Sequence, residues 1–413
     1  MPTRRVFLRN SALAVIGTAT VPSFLRRAAF AATDADARNK RLVVLFQRGA
    51  ADGLNIVVPH GESQYYSLRP SINIPKKAVL DLDGFFGLHP SLAPFQPLWQ
   101  QRHLAIVHAA GSPDSTRSHF DAQDFMETGT PGVKITEDGW LNRSLRNLTS
   151  TQQNSPFRAI ALGPSLPRIL SGNEPAVAMN NINDFSVGGR NPKGSPAANA
   201  FEAMYDHSSD TILHGTGQET FDAVKMLKAA DPGKYTPSPN ANYPKGRFGD
   251  SLRQLAQLIK ANLGVQVAFA DIGGWDHHVN EGATEGQLAN VLGDFSQSIA
   301  AFWTDLGDLG EDTVIVTMSE FGRTARENGN RGTDHGHANV MFVIGGTVEG
   351  GKVYGRWPGL DQWQLYEGRD LALTTDFRQV IGEALVRHMG NKNLATVFPG
   401  FENQPGKFLH YLG

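Results

Sequence analysis

Apolar, β-branched runs that stop in clusters of acids, histidines and glycines recur along this chain, and that recurrence constrains its fold more than any other feature. Thr313-Val314-Ile315-Val316-Thr317-Met318 has the composition of a strand covered on both faces. It gives way to Ser319-Glu320-Phe321-Gly322-Arg323-Thr324 and a polar loop. The loop closes on Asp334-His335-Gly336-His337, directly before a second apolar run, Val340 to Ile344. In open α/β sheets ligands bind beyond the carboxyl ends of the strands. Glu320, His335 and His337 therefore stand where a metal cradle would be built. Glu320 paired with Arg323, and loop histidines bonded to backbone, are the plainer readings of the same residues.

The arrangement repeats. Arg41 to Gln47 runs into Arg48-Gly49-Ala50-Ala51-Asp52-Gly53, again an acid just past a strand, although Asp-Gly is also an ordinary turn pair. Val265 to Ala270 runs into Asp271-Ile272-Gly273-Gly274-Trp275-Asp276-His277-His278. Side chains two apart on an extended segment point the same way, so Asp276 and His278 can grip one cation together while His277 faces elsewhere. His103 to Ala110 reads as a further strand, followed by a short helix starting near Ser118. A serine there sees unpaired N–H groups and the positive end of the helix dipole, which suits an alkoxide or an anion. Ser118 with Asp121 equally fits a capping arrangement.

Between these runs lie amphipathic helices. Phe248, Leu252, Leu255, Ile259 and Leu263 mark one stripe; Leu288, Val291, Phe295, Ile299, Phe302 and Leu306 mark another. Alternating strands and helices predict a three-layer α/β/α sandwich around a mostly parallel sheet. The runs at 42–47, 104–108, 265–270, 313–318 and 340–344 are expected in that sheet, with the site at the carboxyl ends of all but the last. Residues from about 129 to 243, rich in Gly, Pro, Asn and Ser, read as an irregular excursion of the same domain that covers the site.

The net charge of −2 gives no basic field that would point to nucleic acid. The absence of cysteine excludes disulfides, thiolate metal sites, iron–sulfur clusters and a cysteine nucleophile. At the amino terminus, Thr3-Arg4-Arg5-Val6-Phe7-Leu8-Arg9 matches the twin-arginine export pattern. An apolar stretch from Ala12 to Leu25 and a small-x-small site, Ala29-Phe30-Ala31, follow it. Residues 1–31 are thus expected to be a signal read by the twin-arginine translocase, and 32–413 a single mature domain without a membrane span, periplasmic or secreted.

Taken together, the export pattern, Leu45 to Asn55, Arg117-Ser118-His119-Phe120-Asp121-Ala122-Gln123, Gly273 to His278, Ser319 to Thr324 and Asp334-His335-Gly336-His337-Ala338 resemble the DUF1501 family. That family stands near the alkaline phosphatase and sulfatase superfamily. The resemblance implies a hydrolase of small anionic phosphate or sulfate esters, with one or two divalent cations beside a hydroxyl nucleophile. Zinc is the usual metal; calcium or manganese are the alternatives. Carried onto this chain it implies Asp52, Asp276, His278, Glu320, His335 and His337 as metal ligands and Ser118 as nucleophile, with Thr116 or Ser115 as substitutes. Arg117, Arg323 or Arg48 would clamp the anionic oxygens, although surface salt bridges are the plainer role for each. Glu320 stands where the superfamily has Asp-His, a departure that leaves the second metal open. The competing expectation is a periplasmic metal-binding protein that matures or holds a protein partner without hydrolysis. A redox enzyme would need a carrier, and the chain has neither thiolates nor a nucleotide-type glycine motif.

Overall fold

β1 (Arg41–Gln47) is hydrogen-bonded on both sides, by β8 (Val267–Ile272) and β9 (Thr313–Ser319), in parallel register. The computed structural model describes residues 39–146, 148, 155–182, 234–402 and 405–413. The first 38 residues, which carry the arginine pair, lie outside the described residues, as do residues 183–233 of the Gly/Pro-rich excursion. Lys40–Gly413 forms one compact unit.

The sheet has nine strands among the described residues, in the order β11-β5-β10-β9-β1-β8-β6-β7, with β12 also on β5. The remaining members are β5 (Leu104–Gly111), β6 (Ala159–Leu162), β7 (Val177–Met179), β10 (Asn339–Gly345), β11 (Lys352–Tyr354) and β12 (Thr375–Asp376). β2 (Val57–Val58), β3 (Leu80–Asp81) and β4 (Gly87–Leu88) form a separate small sheet. Among the described strands only β10 runs against its neighbours in the large sheet. The β9–β10 connection therefore leaves and returns at the same end of the sheet, which brings Asp334 and His335 back against Arg323 and Thr324, just past Glu320.

β1, β5, β9 and β10 read as continuous apolar runs because both their faces are covered. Val43, Leu45 and Ile315 pack under the helices Arg247–Lys260 and Gln287–Leu306. Leu42, Val44, Phe46 and Val316 pack under Trp140–Leu145, Phe377–Glu383 and Leu394–Val397. That is the expected three-layer α/β/α arrangement, and all five expected runs lie in its mostly parallel sheet. Two details differ from expectation. β8 begins two residues later than the apolar run from Val265, because Leu42 to Gln47 pair with Val267 to Ile272. The Gly/Pro-rich excursion contributes β6 and β7, too short for periodicity to reveal, which extend the sheet beyond β8. No helix among the described residues is long and apolar enough to cross a membrane.

Candidate metal centre

Three imidazoles meet at the carboxyl ends of the strands. His335 Nε2 lies 3.0 Å from His119 Nε2 and 3.0 Å from His278 Nε2. The Asp276 carboxylate stands among them, 3.1 Å from His278, 3.4 Å from His335 and 3.6 Å from His119. His119, Asp276 and His335 satisfy the mutual spacing of a shared cation site. His278 adjoins them through His335 and Asp276.

The other nitrogen of each ring is anchored. His119 Nδ1 lies 2.8 Å from Glu320 Oε1, His278 Nδ1 lies 3.1 Å from Asp334 Oδ1, and His335 Nδ1 lies 2.9 Å from the Arg117 carbonyl. All three acceptors demand an N–H, so the neutral tautomer of each ring carries its lone pair on Nε2. Lone pairs 3.0 Å apart repel unless a proton or a cation lies between them. In a tetrahedral zinc site with bonds of 2.0–2.1 Å, donor atoms lie about 3.3 Å apart. The separations here bracket that value, so the donor set fits a divalent cation.

The carboxylates are held in their ionised form. Burial opposes ionisation of Asp276, but the hydrogen bond and charge of Arg323 bring its pKa below the usual carboxylate range. Burial likewise opposes Glu320, and donors from His119, Gln123 and the Gly49 N–H overcome it. The hydrogen bond to Glu320 raises the pKa of His119, whereas burial lowers that of His335.

Glycines let these loops touch. Gly49 has φ of +120°, and a Cβ there would sit 2.9 Å from the Asp276 amide nitrogen. A Cβ on Gly322 would lie 1.9 Å from the Ala338 carbonyl oxygen. Arg323, fully buried, ties the loops together. It donates to the carbonyls of Gly49, Ala50, Trp275 and Thr333 as well as to Asp276.

Of the residues expected at the site, Asp276, His278 and His335 come together. Glu320 stands behind His119, completing a carboxylate–histidine pair of the kind that orients metal ligands. His337 is buried and stacks on Tyr366, with ring centroids 4.5 Å apart. Asp52 is placed in a separate buried cluster, both its oxygens taken by the Arg69 guanidinium. Glu281, pushed well above the usual carboxylate range by burial and by the Asp52 charge, shares a hydrogen bond with Asp52. Ser118 caps the helix His119–Thr128, its Oγ accepting from the Asp121 N–H at 3.5 Å. The Arg117 side chain pairs with Glu367 and Asp370, while Arg48 pairs with Glu127 and Asp271. Sequence reasoning missed His119, which opens the helix whose cap is Ser118, and it left Asp334, the acid beside His335, out of the ligand set.

Among solved structures the chain is similar to the C-terminal periplasmic domain of EcEptC from Escherichia coli, in complex with Zn. Identity is 9%, 76% of this chain and 74% of that one are covered, and the TM-score is 0.34. It is similar also to a phosphonate monoester hydrolase of Agrobacterium radiobacter, at 12% identity over 89% and 78% of the chains and a TM-score of 0.33. A Vibrio parahaemolyticus protein in the alkaline phosphatase superfamily matches at 12% identity over 74% and 60%, with a TM-score of 0.30. Likeness at these scores carries no conclusion about the reaction. No curated protein matches the chain in sequence. The family model described as a protein of unknown function, DUF1501, matches residues 39–397, and the chain belongs to that family.

Proposed function

We propose that this protein is a metal-dependent hydrolase of anionic esters, phosphate or sulfate, with one divalent cation held by His119, Asp276 and His335 and adjoined by His278. The observation that carries the reading is the convergence of three anchored Nε2 atoms on a carboxylate that solvent reaches. The side chain of Asp276 is 45% exposed and that of His278 is 41% exposed. Structural metal sites are closed, whereas catalytic ones keep a position open for water or substrate. A divalent cation bound there would act as a Lewis acid on an ester oxygen or on water. Zinc suits the nitrogen-rich donor set.

The chain's own residues do the rest. Glu320, Asp334 and the Arg117 carbonyl fix the rings, and Arg323 fixes Asp276. The Ser118 hydroxyl, at the start of the helix that carries His119, is the proposed nucleophile. Its engagement as a helix cap is the observation that favours the second reading, a metal-binding protein that holds a partner without hydrolysis. Export by the twin-arginine route completes the proposal and predicts that replacing both Arg4 and Arg5 with Lys abolishes periplasmic accumulation in cell fractionation.

The test is metal content and turnover measured on the same preparations. His335→Ala and Asp276→Ala are expected to lose both the metal and the hydrolysis of aryl phosphates or sulfates. A wild-type protein that holds metal stoichiometrically and turns over neither class of ester would establish the second reading instead.

A further inference from the structure

A cavity of about 260 Å³ adjoins the metal centre. Its walls include Thr324, Arg326, Asn328 and Asp334 from the β9–β10 connection, and Gln362 and Arg369 from the segment before β12. Leu68 and Leu365 give it apolar wall. An apolar cavity of about 150 Å³ holds a benzene-sized ligand, so this one has room for a larger group.

Two carboxylates and two guanidiniums line the cavity, and their commitments differ. Glu327 accepts from the Ser71 N–H and hydroxyl and from the Ile72 N–H, at 2.8–3.0 Å. Asp334 accepts from His278 and from Asn328. Both acids are thus already supplied with donors. Arg369 spends one N–H on the His335 carbonyl, at 2.8 Å, and its Nε stands 3.8 Å from the Asp370 carboxylate, with the side chain 40% exposed. Arg326 is exposed and forms no ion pair among the described residues. The uncommitted charge of the cavity is therefore the Arg326 guanidinium, with the exposed part of Arg369 beside it, and such planar donors match an oxyanion in forked geometry.

The position matters as much as the charge. Asp334 is both a wall of the cavity and the anchor of His278, and Arg369 holds the backbone of His335. A molecule bound in the cavity is separated from the metal centre by single side chains.

We propose that this cavity is an oxyanion subsite, holding a carboxylate or phosphate group of the substrate that lies apart from the bond being hydrolysed. The inference rests on the hydrolase reading for the word substrate, and on the cavity alone for the binding.

The metal-loaded protein is titrated calorimetrically with succinate and, separately, with methylphosphonate; the tighter of the two identifies the class of oxyanion. Arg326→Gln is expected to weaken that binding about tenfold with metal content unchanged, because the groups that anchor the metal-centre side chains are Glu320, Asp334, the Arg117 carbonyl and Arg323 rather than Arg326. The same variant is expected to raise KM for phosphate esters bearing a second acid group and to leave a simple aryl phosphate unaffected. Failure of wild type to bind either probe, or binding that Arg326→Gln leaves intact, overturns the subsite. Probe binding that responds to Arg326→Gln in a protein that hydrolyses nothing keeps the subsite and removes the hydrolase reading.

Discussion

Glu320 Oε1 accepts from His119 Nδ1 at 2.8 Å, across 201 residues of chain. Oε1 also accepts from the Gly49 N–H and from Gln123, and Oε2 accepts from Ser319. Four donors on one buried carboxylate fix the plane of the His119 ring before any cation arrives.

Replacing Glu320 with Gln keeps the shape and removes the charge. Partners of this kind typically contribute 10–100-fold in metal affinity. Glu320→Gln is expected to bind zinc in that range more weakly than wild type, with the fold retained. Competition against a chromogenic chelator measures it. An affinity equal to wild type would mean that Glu320 does not orient the ring.

The Asp52–Arg69 pair is buried, with side-chain exposures of 2% and 0%. Removing one member of a buried pair strands the other and typically costs 3–5 kcal/mol. Arg69→Met is expected to lower unfolding free energy by about that amount in urea titration. Asp52→Asn, which removes the charge facing Arg69, is expected to destabilise the chain yet keep stoichiometric metal. Loss of metal in folded Asp52→Asn would restore Asp52 as a ligand.

What could be read in the sequence divides along physical lines. β1, β9 and β10 announce themselves because burial on both faces enforces uninterrupted apolar runs. Asp276, His278 and His335 were legible because they follow or precede such runs directly. The anchors were not. Glu320 and Asp334 carry the same ligand chemistry as Asp276, and no local pattern says which acids face the cation and which stand behind an imidazole. His119 was hidden by the serine before it, whose position at a helix start suggested a nucleophile. Arg69 lies in a turn-rich stretch with no periodicity, and its pairing with Asp52 is a fact of tertiary packing alone. β6 and β7, at four and three residues, are too short for any period to show.

Burial pushes the pKa of His108 down to about 4, against an opposing hydrogen bond to the Val57 carbonyl. His108 Nε2 lies 3.0 Å from that carbonyl, and Nδ1 accepts from the Ala109 N–H, so the folded chain holds the neutral ring. The unfolded chain takes up this proton near pH 6.5, the folded chain only near 4. The stabilisation is therefore complete above pH 6.5 and lost as pH falls toward 4, at a cost on the order of 3 kcal/mol. Urea midpoints measured across that window are expected to fall steeply for wild type. They are expected to fall less steeply for His108→Gln, which cannot be protonated. Equal slopes would show that other groups carry the acid sensitivity.

Ser118 separates the two functional readings most sharply. As a helix cap its hydroxyl satisfies the Asp121 N–H, and replacing such a cap with alanine typically costs ~1 kcal/mol. As a nucleophile its loss removes the reaction. Ser118→Ala is expected to keep the metal, since none of the ligand nitrogens or the Asp276 carboxylate depends on its hydroxyl. If Ser118 is the nucleophile, hydrolysis of aryl phosphates and sulfates falls by orders of magnitude at full metal occupancy. Ser118→Gly is the control, because glycine retains most of the capping preference and loses the hydroxyl. Inactivity of both variants assigns the hydroxyl to the reaction. Wild-type turnover in both assigns it to the cap, and the nucleophile must then come from solvent at the open face of Asp276 and His278.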